Sequence, residues 1–350
     1  MKRARLLLLI FPLVVGALYL RSVASWRPKK VFISKSPITE MVLSDDGRTL
    51  LIVQDQAHST TVTALDTTQE LATKWRRQGD INTPQFFAAD TRIVAGLTGQ
   101  ILDAETGKTL DDLHGTGDRL LSPDGRWLIE AVSLKQNSLQ YVGNKLHLPP
   151  SVPVGQQATK LVGYKNDIPL DQVFTQDSKS IVVAVGTVDS SRLDLYDVQT
   201  GKRTNTYDDM KWTPNPSYAT FTDGATLCWS PDGHYLAAFW CRQRSPLPNI
   251  NTVSIWRMND HHKLASLKLP DSGESCSVAR QALESSTSNR VLLFQLPTLS
   301  LGGSITHAGF ASKQWFDFSQ ETITDTTLSP DGSSLFVATQ SGRVYQQRLK

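Results

Sequence analysis

The sequence predicts an all-β protein: a seven-bladed β-propeller of four-stranded antiparallel blades, preceded by an N-terminal hydrophobic helix. Three observations carry this prediction. One tight-turn motif recurs along the chain, a second turn motif follows it at a fixed offset, and an apolar run precedes both. A repeat of about 40–45 residues is the length of a four-stranded propeller blade.

Residues 1–28 are predicted to be a signal peptide or signal anchor. The basic residues 2–5 precede an apolar run from Leu6 to Leu20, which is the pattern of an export signal. The run is shorter than the ~20 apolar residues of a membrane span. The small residues of Ser22–Ala24 suit cleavage, whereas Trp26 suits a membrane boundary, so both outcomes remain open. We expect a protein anchored on the extracytoplasmic, periplasmic side of a membrane, or secreted if the signal is cleaved.

The charge of the chain does not indicate a nucleic-acid partner. The 36 basic and 33 acidic residues give a net charge of +3, but seven basic residues and no acidic one lie in residues 1–30. Without that segment, 29 basic residues face 33 acidic ones, a net charge of −4. A nucleic-acid-binding domain needs a basic surface on its folded part, and we expect none here.

The first turn motif is Ser-Pro-Asp-Gly. Proline sets φ near −65°, aspartate bonds to nearby backbone, and glycine accepts the positive φ that ends the turn. Each copy follows an apolar residue and precedes a β-rich run, so each predicts a hairpin between two strands. A variant copy starts at Ser44, and degenerate copies lie near residues 88, 175 and 285. The complete copies are Ser122-Pro123-Asp124-Gly125, Ser230-Pro231-Asp232-Gly233 and Ser329-Pro330-Asp331-Gly332.

The second turn motif has the form Asp-x-x-Thr-Gly-Lys. It occurs at residues 103–108 and 197–202, with related turns near 66 and 257. Aspartate begins such a turn and glycine supplies its left-handed residue. Its constant place in the repeat predicts the hairpin between the third and fourth strands of a blade.

The last repeat contains only three predicted strands before the chain ends at Lys350. Residues 31–34 (Val-Phe-Ile-Ser) precede the first turn motif and alternate like a strand. We predict that 31–350 form one propeller in which 31–34 supply the missing outer strand of the last blade. This pairing would cover a sheet edge that otherwise exposes unpaired backbone groups.

Together, the Ser-Pro-Asp-Gly and Asp-x-x-Thr-Gly-Lys turns resemble those of the WD40-type and TolB-like propeller superfamily, over residues 31–350. No Trp-Asp dipeptide ends a strand and no Gly-His dipeptide opens a repeat, unlike in eukaryotic WD repeats, so the chain is more similar to divergent bacterial members. The resemblance implies protein interaction or scaffolding, and sometimes small-ligand binding. It identifies no particular partner, because propellers carry many functions.

Motifs for catalysis, metals or cofactors are not found. No Gly-x-Ser-x-Gly elbow, Cys-x-x-Cys pair or Gly-x-Gly-x-x-Gly fingerprint occurs, so we predict a protein that is not an enzyme and has no metal or cofactor. The adjacent His261 and His262 are expected in an exposed turn. Of Cys228, Cys241 and Cys276, one pair or only free thiols are compatible with the sequence.

Two long insertions between predicted strands are candidate partner-binding loops, Lys135–Pro169 and Trp240–Asn249. In the second, Trp240, Arg242 and Arg244 combine residue types that are enriched in interface hot spots. The alternative is that Trp240 belongs to the core and the arginines are solvated. We therefore expect a non-catalytic scaffold of the cell envelope that binds another protein. The alternative is a periplasmic small-ligand-binding or enzymatic propeller that uses its central channel.

Overall fold

The computed structural model describes most of the chain from residue 29 to residue 349. The described residues are 29–56, 59–79, 81, 83–95, 99–112, 119–132, 140–145, 159–162, 168–186, 190–211, 219–230, 233–245, 247–269, 275–278, 282–287, 290–295, 300–306, 309–311 and 322–349. Within these ranges the chain is all β and forms no helix. The hydrophobic helix predicted for residues 1–28 lies outside them.

The described residues form a succession of strands. In chain order they are β1 Lys29–Ile33, β2 Ile38–Leu43, β3 Thr49–Gln56, β4 Ser59–Asp66, β5 Ala72–Gly79, β6 Pro84–Phe87, β7 Arg92–Ala95, β8 Gln100–Asp103, β9 Thr109–Asp112, β10 Arg119–Leu121, β11 Trp127–Val132, β12 Gln140–Lys145, β13 Thr159–Val162, β14 Ile168–Phe174, β15 Ser180–Gly186, β16 Ser190–Asp197, β17 Arg203–Lys211, β18 Ala219–Trp229, β19 Tyr235–Ser245, β20 Leu247–Arg257, β21 His262–Leu269, β22 Ser275–Val278, β23 Ala282–Thr287, β24 Arg290–Gln295, β25 Ser300–Thr306, β26 Gly309–Ala311, β27 Ile323–Leu328, β28 Ser334–Thr339 and β29 Arg343–Arg348.

The prediction of seven uniform four-stranded blades is wrong and needs correction. Five blades are regular four-stranded sheets with most side chains described: β2–β5, β6–β9, β14–β17, β18–β21, and β27–β29 with β1. The β10–β13 sheet is described mainly in its backbone, and the β22–β26 sheet has five strands. The repeat marks the position of each sheet but does not specify how many strands it contains, because the turn motif degenerates near residue 285.

Apolar side chains join each sheet to the next. One cluster packs Leu51 and Val53 of β3 against Ile93 of β7, and another packs Phe87 of β6 against Leu121 of β10. Further clusters join β10–β11 to the β14–β17 blade, that blade to β18–β21, and the last blade to β2–β5. Strand β22 contacts both β18 and β27. The sheets therefore follow one another around an axis, as in a propeller.

Carboxylates on three first strands bridge neighbouring blades. The Glu40 side chain accepts the backbone N–H of Thr83 at 3.1 Å. Asp325 accepts the N–H of Met41 at 2.6 Å, which links the last blade to the first. Asp171 on β14 likewise accepts an N–H from β18. Each of the three precedes the turn after its strand by four residues, and each satisfies a backbone donor at a blade junction.

Strand β1 lies against the C-terminal strand β29. Lys29 is opposite Gln346 and Ile33 is opposite Arg343, so β1 is the outer strand of the last blade. The segment expected to complete this blade therefore lies at that position. The backbone N–H of Ser34 also donates to the carbonyl of Gly342 at 2.7 Å. This contact joins the first described residues to the last hairpin.

Replacing Gly342 with alanine is expected to lower the free energy of unfolding by about 1–2 kcal/mol. Gly342 has φ of 80°, and a Cβ there would lie 2.5 Å from the Ser36 carbonyl oxygen. The side chain of Gln340, in the same turn, is exposed, so Gln340→Ala serves as the control and should cost under about 0.5 kcal/mol. Urea denaturation measures the stability of both variants. Equal stability of the two would contradict the close approach of Gly342 to the Ser36 carbonyl.

Candidate functional site

The two turn classes lie on one face of the propeller, which we call the turn face. In a four-stranded meander, the turn after the first strand and the turn after the third strand emerge on the same side. The Ser-Pro-Asp-Gly class follows β2, β10, β18 and β27, and the Asp-x-x-Thr-Gly-Lys class follows β8 and β16. Loops on one face of a scaffold are where binding residues concentrate.

Ser122 is the centre of its turn. Its hydroxyl donates to the Asp124 carboxylate at 2.7 Å and accepts the backbone N–H of Trp127 at 2.9 Å. The carboxylate also accepts the N–H of Arg126, and the Gly125 N–H donates to the Ser122 carbonyl. The turns that begin at Ser44, Thr175 and Ser329 repeat this hydroxyl–carboxylate bond. In the turn at Ser230, Pro231 and Asp232 lie outside the described residues.

Neighbouring turns are bonded to each other across blade boundaries. The backbone N–H of Asp46 donates to the Asp90 carboxylate at 2.9 Å, and that of Asp124 donates to the Ser178 hydroxyl at 3.1 Å. The turn at Gly47 is also close to the last blade, because a Cβ there would lie 2.9 Å from the Pro330 ring. Glycine thus permits both the φ of 72° and the close approach of two turns.

A cleft of about 630 Å³ opens on the turn face between the β2–β5 and β6–β9 blades. Its volume lies within the range of ~300–1,000 Å³ typical of ligand pockets. Both turn classes of both blades contribute to it, including Asp46, Asp66, Asp90 and Asp103. The cleft is therefore built from rigid turns rather than from a long loop.

The cleft lining has an excess of negative charge. Five carboxylates line it, together with the two cations Arg48 and Lys74. Lys74 forms an ion pair with Glu105 and donates to the Thr49 hydroxyl at 3.3 Å. Arg48 lies 3.9 Å from Asp46. The formal excess is three negative charges, and the Glu105 side chain is 73% exposed, so it is available to a partner.

The turn carboxylates of the cleft differ in their pKa. Hydrogen bonds from Thr68 lower the pKa of Asp66, and those from Thr106 lower the pKa of Asp103. Burial raises the pKa of Asp90. Burial and the nearby Asp90 and Asp46 charges also raise the pKa of Asp45, which precedes the lining residue Asp46. Asp66 and Asp103 therefore hold their charge more firmly than Asp90 does.

The structure places Trp240 in the core rather than in a loop. Its side chain is 1% exposed and packs in the cluster that joins the β14–β17 and β18–β21 blades. Its indole N–H donates to the Asp209 carboxylate. Within the predicted loop 240–249, residues 240–245 are instead the end of β19 and residues 247–249 are the start of β20. Arg242 and Arg244 lie on β19, and their side chains are outside the described residues, so their role in binding stays a prediction.

Asp209 connects the β14–β17 blade to the β18–β21 blade, although no turn motif or periodicity in the sequence singles it out. Its buried carboxylate also pairs with Lys263 at 2.6 Å, and the same ammonium donates to the Asp209 carbonyl at 2.6 Å. Lys263 additionally lies 5.9 Å from the Trp256 ring. Asp209 and its neighbour Asp208 lie within strand β17.

The remaining candidate segments give no catalytic arrangement in the described part of the chain. His261 stacks on Tyr207 with ring centroids 5.0 Å apart, and it occupies the turn between β20 and β21. The insertion 135–169 contains β12 and β13, and its other residues before β14 lie outside the described ranges. Within the described residues, no three metal-ligating side chains converge, and no helix could span a membrane.

Strands stacked as successive sheets around an axis, with both turn classes on one face, define this chain as a β-propeller. No family model and no curated protein matches the sequence. Among solved structures, it is similar to the β-propeller domain of Cps50 (Swd1) from Myceliophteria thermophila, with a TM-score of 0.63 and 12% identity. The match covers 92% of this chain and 100% of that one. The similarity to this WD40 propeller supports the resemblance in fold, and no comparison supports the TolB-like family.

Proposed function

We propose that this propeller is a non-catalytic scaffold of the cell envelope that binds a partner protein through its turn face. The observation that carries the proposal is the cleft between the β2–β5 and β6–β9 blades. Its walls are turns that are bonded to each other, so a partner would meet a preorganised surface at a low ordering cost. The similar fold of a WD40-type propeller favours interaction over catalysis.

The chemistry of the cleft favours a cationic segment of the partner. A lysine or arginine side chain entering it would meet an excess of carboxylates, among them the exposed Glu105. Charge complementarity of this kind sets specificity and association rate more than total affinity. We infer a partner that presents a basic loop or strand, and binding that weakens as salt rises.

The envelope location is supported by the basic and apolar N-terminal segment of the sequence. Strand β1 starts at Lys29, directly after that segment, and lies on the outer edge of the last blade. An anchor there would leave the turn-face cleft, which lies on other blades, open to a partner.

A charge reversal tests the proposal with a matched control. Glu105 and Gln199 occupy the same position of the same turn class in two blades, and only Glu105 lines the cleft. Crosslinking and affinity capture from intact membranes should recover a partner with wild type and Gln199→Lys. We expect Glu105→Lys to reduce this recovery about tenfold or more.

Four outcomes separate the alternatives. Equal recovery by Glu105→Lys and wild type would overturn the cleft as the binding surface. Loss of recovery with both lysine variants would indicate a general charge effect on the turn face instead. Recovery that depends on Arg242→Ala and Arg244→Ala but not on Glu105→Lys would move the interface to the β19–β20 hairpin. A ligand of low mass recovered in place of a protein would favour the small-ligand alternative.

A further inference from the structure

The three cysteines of the chain are in two chemical states. Cys228 on β18 is disulfide-bonded, whereas Cys241 on β19 keeps its thiol and forms no disulfide. The remaining cysteine of the sequence is Cys276, which lies on β22. Cys228 must therefore be bonded to one of the other two cysteines.

The register of β18 and β19 excludes Cys241 as the partner. Cys228 is opposite Ala237 and Cys241 is opposite Gly224. The two cysteines are therefore about four residues apart along the hairpin, which corresponds to ~13 Å at ~3.3 Å per residue. A disulfide requires Cα atoms within about 7 Å.

The two faces of the β18–β21 blade show where the Cys228 side chain lies. Leu227 and Leu236 pack towards the preceding blade, β14–β17. Cys228 packs against Ala237 and Phe239, in the cluster on the opposite face. That face is directed at the β22–β26 sheet, and β22 contacts β18.

We infer that Cys228 and Cys276 form a disulfide that joins two neighbouring sheets of the propeller. Its formation removes two protons and two electrons from the two thiols, and a disulfide-bearing oxidant accepts the electrons as it is reduced to a dithiol. The bond closes a segment whose ends are 48 positions apart. It connects the β18–β21 blade to the five-stranded sheet.

The disulfide also specifies the kind of compartment in which the chain works. Such bonds persist outside the cytoplasm and are rare where thiols are kept reduced. This part of the inference deepens the proposed envelope location. The linkage itself is independent of the proposed partner surface, so a failed capture experiment would leave it standing.

Peptide mapping of the full chain tests the linkage directly. The protein is recovered under acid, its free thiols are alkylated with iodoacetamide, and it is digested without reduction. Trypsin alone leaves Cys228 and Cys241 in one peptide, because no lysine or arginine lies between Lys211 and Arg242. Chymotrypsin is therefore added. We expect a linked peptide with Cys228 and Cys276, and an alkylated Cys241. Alkylation of all three cysteines, or a linkage through Cys241, would overturn the inference.

Serine variants give a second readout. Cys228→Ser and Cys276→Ser should each lower Tm by roughly 5–10 °C, and the double variant should lower it no further, because each removes the same bond. Cys241→Ser is the matched control and should leave Tm within about 2 °C. Additive effects of the two single variants would contradict a shared bond. If a serine variant does not fold, the mapping of the wild-type chain still decides.

Discussion

Replacing Trp240 with alanine is expected to lower the free energy of unfolding by about 3–5 kcal/mol. The side chain is 1% exposed, and it is among the largest fully buried side chains of the described residues. It packs between two blades, so the variant opens a cavity where Leu236 and Trp256 meet the β14–β17 blade. It also removes the indole donor from the buried Asp209 carboxylate.

Trp240→Phe separates packing from hydrogen bonding. Phenylalanine keeps an aromatic ring in the site and loses the N–H donor, so the expected cost is about 1–3 kcal/mol. Urea denaturation of the three proteins measures both effects, and capture of the partner should be unchanged by Trp240→Phe. A Trp240→Ala protein of nearly wild-type stability that no longer captured its partner would restore Trp240 as an interface residue.

Local chemistry explains why the sequence predicted the turns correctly. The hydroxyl of Ser122, the carboxylate of Asp124 and the φ of Gly125 act within five consecutive residues. A motif of this kind specifies its own geometry, because its partners lie next to each other along the chain. The same argument applies to Asp103 and Thr106, whose hydrogen bonds define the second turn class.

Contacts between blades could not be predicted from the turn motifs. Asp46 and Asp90 are 44 positions apart, and Trp240 and Asp209 are 31 apart. Each pair meets only because adjacent blades stack in a particular rotation. The cleft follows from that stacking, so neither its position nor its charge could be predicted from the turns alone. Periodicity shows that blades exist, but not which side chains of two blades face each other.

The segment after Trp240, which contains prolines, was assigned to a loop because it is a long insertion between predicted strands. Proline cannot donate to a strand ladder, and it usually marks a turn or an edge. In the structure, Pro248 lies in β20 between the partners of Arg242 and Arg244, where the register shifts. This proline is thus accommodated where the hairpin pairing is irregular. The strands continue to the turn, and Trp240 stays inside.

Glu40→Gln is expected to remove roughly 2 kcal/mol of the pH dependence of stability between pH 5 and pH 8. Burial raises the pKa of Glu40 to about 7, and the neighbouring Asp325 charge acts in the same direction. A folded-state pKa above the unfolded value means that the folded protein holds a proton that the unfolded chain has released. Stability from this group is therefore greatest in acid and is lost as pH rises from about 4.5 to 7.

Asp171 should behave in the same way with a smaller effect in that window. Burial raises its pKa to about 6, against hydrogen bonds from the backbone of Leu227 and Gln172, so we expect a change of roughly 1 kcal/mol between pH 5 and pH 8. Asp171→Asn places an amide NH₂ against one of these donors, which lowers stability at every pH. The slope of stability against pH, rather than its absolute value, is therefore the readout for this variant.

Asp197, in a turn of the second class, provides the control because its pKa shift has the opposite sign. Hydrogen bonds from Thr200 lower the pKa of Asp197, so its contribution is complete above its ordinary pKa and is lost only in acid. Asp197→Asn should leave the slope between pH 5 and pH 8 unchanged. Urea denaturation at the two pH values, with wild type, Glu40→Gln, Asp171→Asn and Asp197→Asn in parallel, measures all four slopes. If the Glu40→Gln slope equalled that of wild type, the Glu40 carboxylate at the junction with Thr83 would have to be ionised throughout this range. That junction would then be insensitive to pH.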